Sequence, residues 1–95
     1  MNITSYEISK QLHEAGFRAK AEGLVHYPDK IFGEKFPAYD LETLLEAMPE
    51  NYQLHNDWIQ CFKNGSFNGQ RRKAGESLAD LVARSLLHLI KTKQI

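Results

Sequence analysis

Most residue types that would announce a chemistry are scarce in this chain. Cysteine occurs once, at Cys61, which excludes an intrachain disulfide and leaves no cysteine-histidine cluster for structural zinc. The expectation is a packed thiol in a cytoplasmic protein, since no neighbouring positive charge lowers the thiol pKa. An excess of charge of one sign is lacking too. Twelve basic residues balance twelve acidic ones, so no overall field draws the chain to nucleic acid or an acidic membrane, and only a local patch could do so. No apolar run approaches the ~18 residues of a membrane span. The first residues show no basic stretch followed by an apolar core, and no segment repeats at a fixed period.

Catalytic signatures are equally thin. The four histidines, His13, His26, His55 and His88, follow no metal-ligand spacing, so no metal and no cofactor is expected. Ser66, Ser77 and Ser85 stand in no nucleophile-elbow context, and Asn64 to Gly69 is no phosphate loop because no Gly-Lys-Ser/Thr follows it. Glu42 and Glu46 share a helix face, but on the side away from the apolar stripe, where carboxylates are solvated rather than poised for acid-base work. The expectation is a protein that is not an enzyme.

What the chain does have is a long apolar helix at its end. With 95 residues, 42% of them hydrophobic, residues 1–95 suffice for a single domain around one core. From Ser77 to Lys93, the residues Leu78, Ala79, Val82, Ala83, Leu86, Leu87, Leu89 and Ile90 cover about half the helix circumference, with Leu81 beside them. A face that wide needs cover from two sides, by a sheet and by another helix or a second subunit. Ser77 is placed to cap this helix and Gly75 to reverse the chain before it. Asp80 and Arg84 have the spacing of an ion pair.

Earlier segments carry their own signals. Thr4 and Glu7 form a capping box with Ile3 and Ile8 as a staple, and a stripe of Ile8, Leu12 and Ala15 ends at Gly16, after which Phe17 should fold back on Leu12. Pro28-Asp29 suits a turn between short strands near Leu24 to Tyr27 and Lys30 to Phe32; a loop with one strand is the alternative. A second helix follows, with Asp40 as cap, Leu41, Leu44, Leu45 and Met48 as stripe, Tyr39 and Leu44 as staple, and Pro49 as stop. Tyr52 to Lys63 reads as β, either a hairpin turning at Asn56-Asp57 or one long strand with a bulge. Asn64-Gly65 marks another turn, leading to a short strand around Ser66 to Asn68 and a mobile loop from Gly69 to Gly75. The order predicts an α+β fold: a small, mainly antiparallel sheet packed by three helices, the C-terminal one central.

Two candidate surfaces emerge. Leu81 and Leu87 are the candidate protein interface if the last helix has more apolar face than the domain can cover, with a homodimer as the simplest partner. Arg71, Arg72 and Lys73, with Phe67 upstream and Trp58 and Phe62 on the neighbouring strand, are the candidate nucleic-acid contact, provided the aromatics face solvent. Trp58 and Phe62 lie on one strand face, which is equally how a core face looks.

The runs Ile8 to Phe17, Pro37 to Pro49 and Glu76 to Ala83 together resemble a type of small uncharacterised phage and prophage protein. Such chains pair an early helix ending in Gly-Phe with a proline-preceded leucine-glutamate helix, an aromatic strand region and a Ser-x-Ala-Asp last helix. More loosely, the layout is similar to the phage sandwich domain, in which helices cover a small antiparallel sheet. The resemblance implies an origin and no catalytic residues. The expected function is a noncatalytic accessory module of phage or prophage type acting by protein-protein contact; the alternative is a small single-stranded nucleic-acid-binding protein using residues 70–73 and the strand aromatics.

Overall fold

The width of the last apolar face decides the architecture. The computed structural model describes residues 3–18, 25–26, 36–49, 51–63 and 66–93 of the chain. In it the C-terminal segment forms the longest of the three described helices, Leu78–Lys91. Five strands and two further helices precede it: α1 Tyr6–Glu14, β1 Val25–His26, β2 Phe36–Pro37, α2 Leu41–Ala47, β3 Tyr52–Leu54, β4 Trp58–Lys63 and β5 Ser66–Arg71, with the last helix as α3. Strands β3, β4 and β5 make an antiparallel sheet in that order, and β1 pairs with β2 as a separate antiparallel ribbon. Helix α3 packs against β4 and β5 and also against α1 and α2. The fold is α+β with the C-terminal helix in the middle.

Local chemistry sets the helix ends. Ser77 Oγ accepts from Asp80 N at 3.1 Å, and Gly75 takes the positive φ of +77° that turns the chain into α3. Asp40 caps α2, its carboxylate accepting from Thr43 N at 2.8 Å, and hydrogen bonds from the Thr43 side chain and then its backbone hold the Asp40 carboxyl below the usual carboxylate range. At the end of α1, Phe17 N donates to Leu12 O and Gly16 N to His13 O, the paired bonds of a Schellman ending. Phe17 is thereby turned onto Tyr39, ring centroids 4.9 Å apart and 73° between planes.

The start of α1 departs from expectation. Ser5, not Thr4, is the N-cap, its hydroxyl accepting from Ile8 N. Thr4 is buried instead. Its Oγ1 lies 2.7 Å from Ser9 Oγ and accepts from Tyr39 N at 3.0 Å, while Thr4 N donates to Tyr39 O at 2.9 Å. With Ser5 as cap, Thr4 and Ser9 occupy the staple positions that usually carry apolar side chains. A hydrogen bond replaces the hydrophobic contact because the same threonine must also satisfy the backbone of Tyr39.

Strand boundaries differ in two further places. The described partner of Val25–His26 is Phe36–Pro37; the strand expected near Lys30 to Phe32 lies outside the described residues, as does the turn at Asn64-Gly65. Strand β5 runs on to Arg71, so Gly69, Gln70 and Arg71 belong to the sheet rather than to a mobile loop. Between the two readings of residues 52–63, the hairpin is the one realised: His55 N donates to Trp58 O at 2.8 Å across Asn56-Asp57.

The core gathers Leu12, Tyr39, Leu44, Ile59, Cys61, Leu81, Val82, Leu86 and Leu89, each 1% exposed or less. Leu81→Ala should lower unfolding stability by about 2–5 kcal/mol, seen as a fall in the urea midpoint. Thr4→Val, which strands the Ser9 hydroxyl and the Tyr39 N–H, should cost about 1–3 kcal/mol.

Candidate binding surface on the open sheet face

Alternation along β4 divides its side chains between two environments. Ile59 and Cys61 are fully buried toward the helices, so Trp58, Gln60 and Phe62 face the other way. Register carries the division to the neighbours: Phe67, Gly69 and Arg71 stand across from Phe62, Gln60 and Trp58, and Gln53 across from Gln60 on the other side. Phe62 and Phe67 are 54% and 56% exposed, the two large hydrophobics that stand out on the described surface. Their rings meet edge to face at 5.3 Å. Gln60 Nε2 donates to Gln53 Oε1 beside them. Trp58 stacks on His55, centroids 4.8 Å apart and planes 7° from parallel.

The aromatics therefore face away from the core. Gln60 was the sequence signal for this, since a polar residue at the position between Trp58 and Phe62 marks a wetted face. Gly69 continues the pattern. A Cβ there would come within 3.1 Å and 3.3 Å of Phe67 Cε1 and Cζ, so the glycine lets the Phe67 ring lean over the strand.

At the far end of this face Asp57, Trp58, Phe67, Gly69, Gln70, Arg71 and Arg72 line a groove of about 500 Å3. The basic run divides its roles here. Arg71 ends β5 with an exposed side chain. Arg72 is a clamp: its backbone N donates to Asp57 O, Nη1 to Asn56 O at 3.0 Å and Nε to Glu76 O at 2.7 Å. Lys73 is exposed, and its backbone N donates to Glu76 Oε1. The arginine clamp ties the β3–β4 turn to the segment entering α3 and so fixes one wall of the groove.

Arg84 holds the other anchor. Its Nε and Nη2 donate to the two Glu76 oxygens at 2.6 and 2.8 Å, a bidentate pair, while Nη1 reaches Gln70 Oε1 and Nη2 reaches Arg71 O. The expected Asp80–Arg84 helix pair is thus replaced by longer-range partners, because Asp80 Oδ1 accepts from Ser5 N at 2.7 Å. Burial pushes the Glu76 carboxyl up, but the Arg84 and Lys73 hydrogen bonds and charges outweigh it and hold the net value below the usual range.

Leu81 and Leu87 take no part in a surface. They are 0% and 4% exposed, covered within the chain itself, so the wide face of α3 has no excess to offer a partner through them. The Cys61 thiol is buried and raised in pKa by that burial, which makes it a poor nucleophile. Among the described residues no three histidine, cysteine or acidic side chains gather as a metal site, and no helix is long and apolar enough to cross a membrane. Comparison with protein-family models, with curated proteins and with solved structures finds no match to the chain.

Because the folded-state pKa of Glu76 lies below its unfolded value, its contribution to stability is complete above the ordinary carboxylate range of about 4.3 and is lost as pH falls through the folded value. Glu76→Gln should accordingly be less stable than the parent at neutral pH. The gap between the two should close in urea melts as the pH is taken down through the acid range.

Proposed function

We propose that this chain is a noncatalytic module that binds another protein, a second copy of itself being the first candidate, through the open face of the β3–β5 sheet. The observation that carries the reading is the pair of half-exposed phenylalanines, Phe62 and Phe67, set on a rigid sheet rather than on a loop. Apolar area left in water forgoes about 25 cal/mol per Å2, and an aromatic centre with charge kept to the rim is the composition of an interface core. Phe62, Phe67, Gln53 and Gln60 supply that uncharged centre, and Trp58 and Arg71 stand at its edge.

Single-stranded nucleic acid is the second reading, favoured by the exposure of the aromatics that such binding requires. Charge weighs against it. Of the three basic residues in the run, Arg72 is committed to backbone carbonyls, and nearby Arg84 is committed to Glu76. Neutralising two phosphates gives a salt dependence of only about 1.4 logarithmic units of affinity per tenfold change in salt, a weak hold on a polymer. The resemblance to small phage and prophage proteins supports an accessory role without choosing between these ligands.

Light scattering on a size-exclusion column, across a dilution series at low and high salt with and without a mixed single-stranded oligonucleotide, separates the readings. The expected outcome is a dimer that dissociates on dilution, is indifferent to salt, and is lost in Phe62→Ser/Phe67→Ser while the unfolding free energy of the monomer falls by no more than about 1–2 kcal/mol, the worth of the lost ring pair. A monomer that shifts only with oligonucleotide at low salt would overturn the protein reading. A monomer indifferent to both assigns the face to a partner of different sequence.

A further inference from the structure

The groove beside Trp58 combines groups that a protein-binding apolar patch does not need. Its volume of about 500 Å3 lies within the range of small-molecule sites, about 300–1,000 Å3. Two aromatic side chains, Trp58 and Phe67, line it, and Gly69, over which the Phe67 ring leans, forms part of the wall between them. His55 covers one side of the indole, which fixes the ring in place. Arg71 stands across from Trp58 in the β4–β5 register, with its exposed side chain along the same groove. Asp57, an acceptor-only group, lies at the end where Arg72 pins the turn.

We propose that this groove binds a nucleotide, meaning a planar base carried next to one phosphate. The base lies beside Gly69 against the Trp58 indole and the Phe67 ring, where an aromatic surface holds any base without regard to sequence. The phosphate meets Arg71, two residues and so about 7 Å further along the strand, whose planar guanidinium suits bidentate contact with phosphate oxygens. Asp57 accepts from the ligand's own donors, the sugar hydroxyls or base amino groups. The clamp made by Arg72 holds the Asp57 wall in position before the ligand arrives, which lowers the ordering cost of binding. The shortage of cations that weakens the case for a polymer is no obstacle here, because a single phosphate needs one arginine. This inference rests on the groove alone and holds whatever partner covers Phe62.

Trp58 is the chain's single tryptophan and forms part of the site, so its fluorescence reports occupancy directly. The full chain is titrated with the four ribonucleoside monophosphates, the matching nucleosides, inorganic phosphate, and a mixed single-stranded dodecamer. The expected result is a saturable change with at least one monophosphate, weaker with its nucleoside and absent with phosphate alone. Arg71→Ala should weaken the monophosphate by about tenfold or more and bring it level with the nucleoside, as loss of a charged hydrogen bond requires. Arg71→Gln keeps the aliphatic stem and the backbone carbonyl that Arg84 uses, and should show the same loss with an unchanged urea midpoint. A dodecamer no tighter than the monophosphate identifies the free nucleotide as the ligand. A dodecamer more than about a hundredfold tighter, with binding that falls steeply in salt, identifies a nucleotide within a strand. No saturable change with any monophosphate at millimolar concentration, or equal binding of nucleoside and nucleotide by the parent chain, would overturn the proposal; the dimer measurement would be untouched by either.

Discussion

An α-helix with an apolar face covering about half its circumference cannot lie on a flat support, and that constraint shapes this molecule. Eight residues of α3 are buried, from Ala79 to Leu89, and no single neighbouring element hides them all. The sheet covers one part and α1 and α2 cover the rest, which places α3 in the middle and gives the domain one core. The remaining contacts serve to hold those covers in place. Asp80 holds the start of α1 through Ser5 N, Arg84 holds the end of β5 through Glu76, Gln70 and the Arg71 carbonyl, and the Thr4–Ser9–Tyr39 bonds hold α1 to the entry of α2.

With α3 packed on one side of β4 and β5, the other side of the described sheet stays open. An antiparallel sheet tolerates this when the open side is polar, and here it is only partly so. Gln53 and Gln60 follow the rule, while Phe62, Phe67 and Trp58 do not. Two phenylalanines more than half exposed on neighbouring strands break that rule, and the proposed protein contact is built on them. The same face changes character along its length, from the phenylalanine pair to a groove bounded by arginines and an aspartate. The two proposed uses, an apolar macromolecular contact at one end and a small-ligand site at the other, have Phe67 in common.

Much of the fold was legible in the residues because helix caps and stripes are local. Ser77, Asp40, Gly16 and Gly75 do what their chemistry prescribes within a few residues of themselves, and the period of α3 already required cover from two sides. The hairpin at Asn56-Asp57 is local too, but a single bulged strand fitted the same residues, and the structure decided between them. The surface was legible only in its ingredients. Phe67, Arg71 and Trp58 could be picked out as aromatic and basic residues, but Gln60 alone set the face of Trp58 and Phe62 apart from that of Ile59 and Cys61, and the two aromatics beside it look equally like a core face. Leu81 and Leu87 suggested an interface because the capacity of the rest of the chain to cover α3 is a sum over distant elements.

The sequence by itself determined where α1 stops, where α2 and α3 start, and that α3 needs cover from two sides, because caps and apolar period depend on neighbours within about one turn of the chain. The α+β class followed from the order of the elements. Only tertiary structure decided that Thr4 serves Tyr39 rather than capping α1, that Arg84 pairs with Glu76 rather than Asp80, and that Phe62 and Phe67 face outward. In each case the deciding partner lies more than one helical turn along the chain or on another strand. A side chain with two acceptable local roles takes the one that satisfies a buried group elsewhere, and no local pattern records that group.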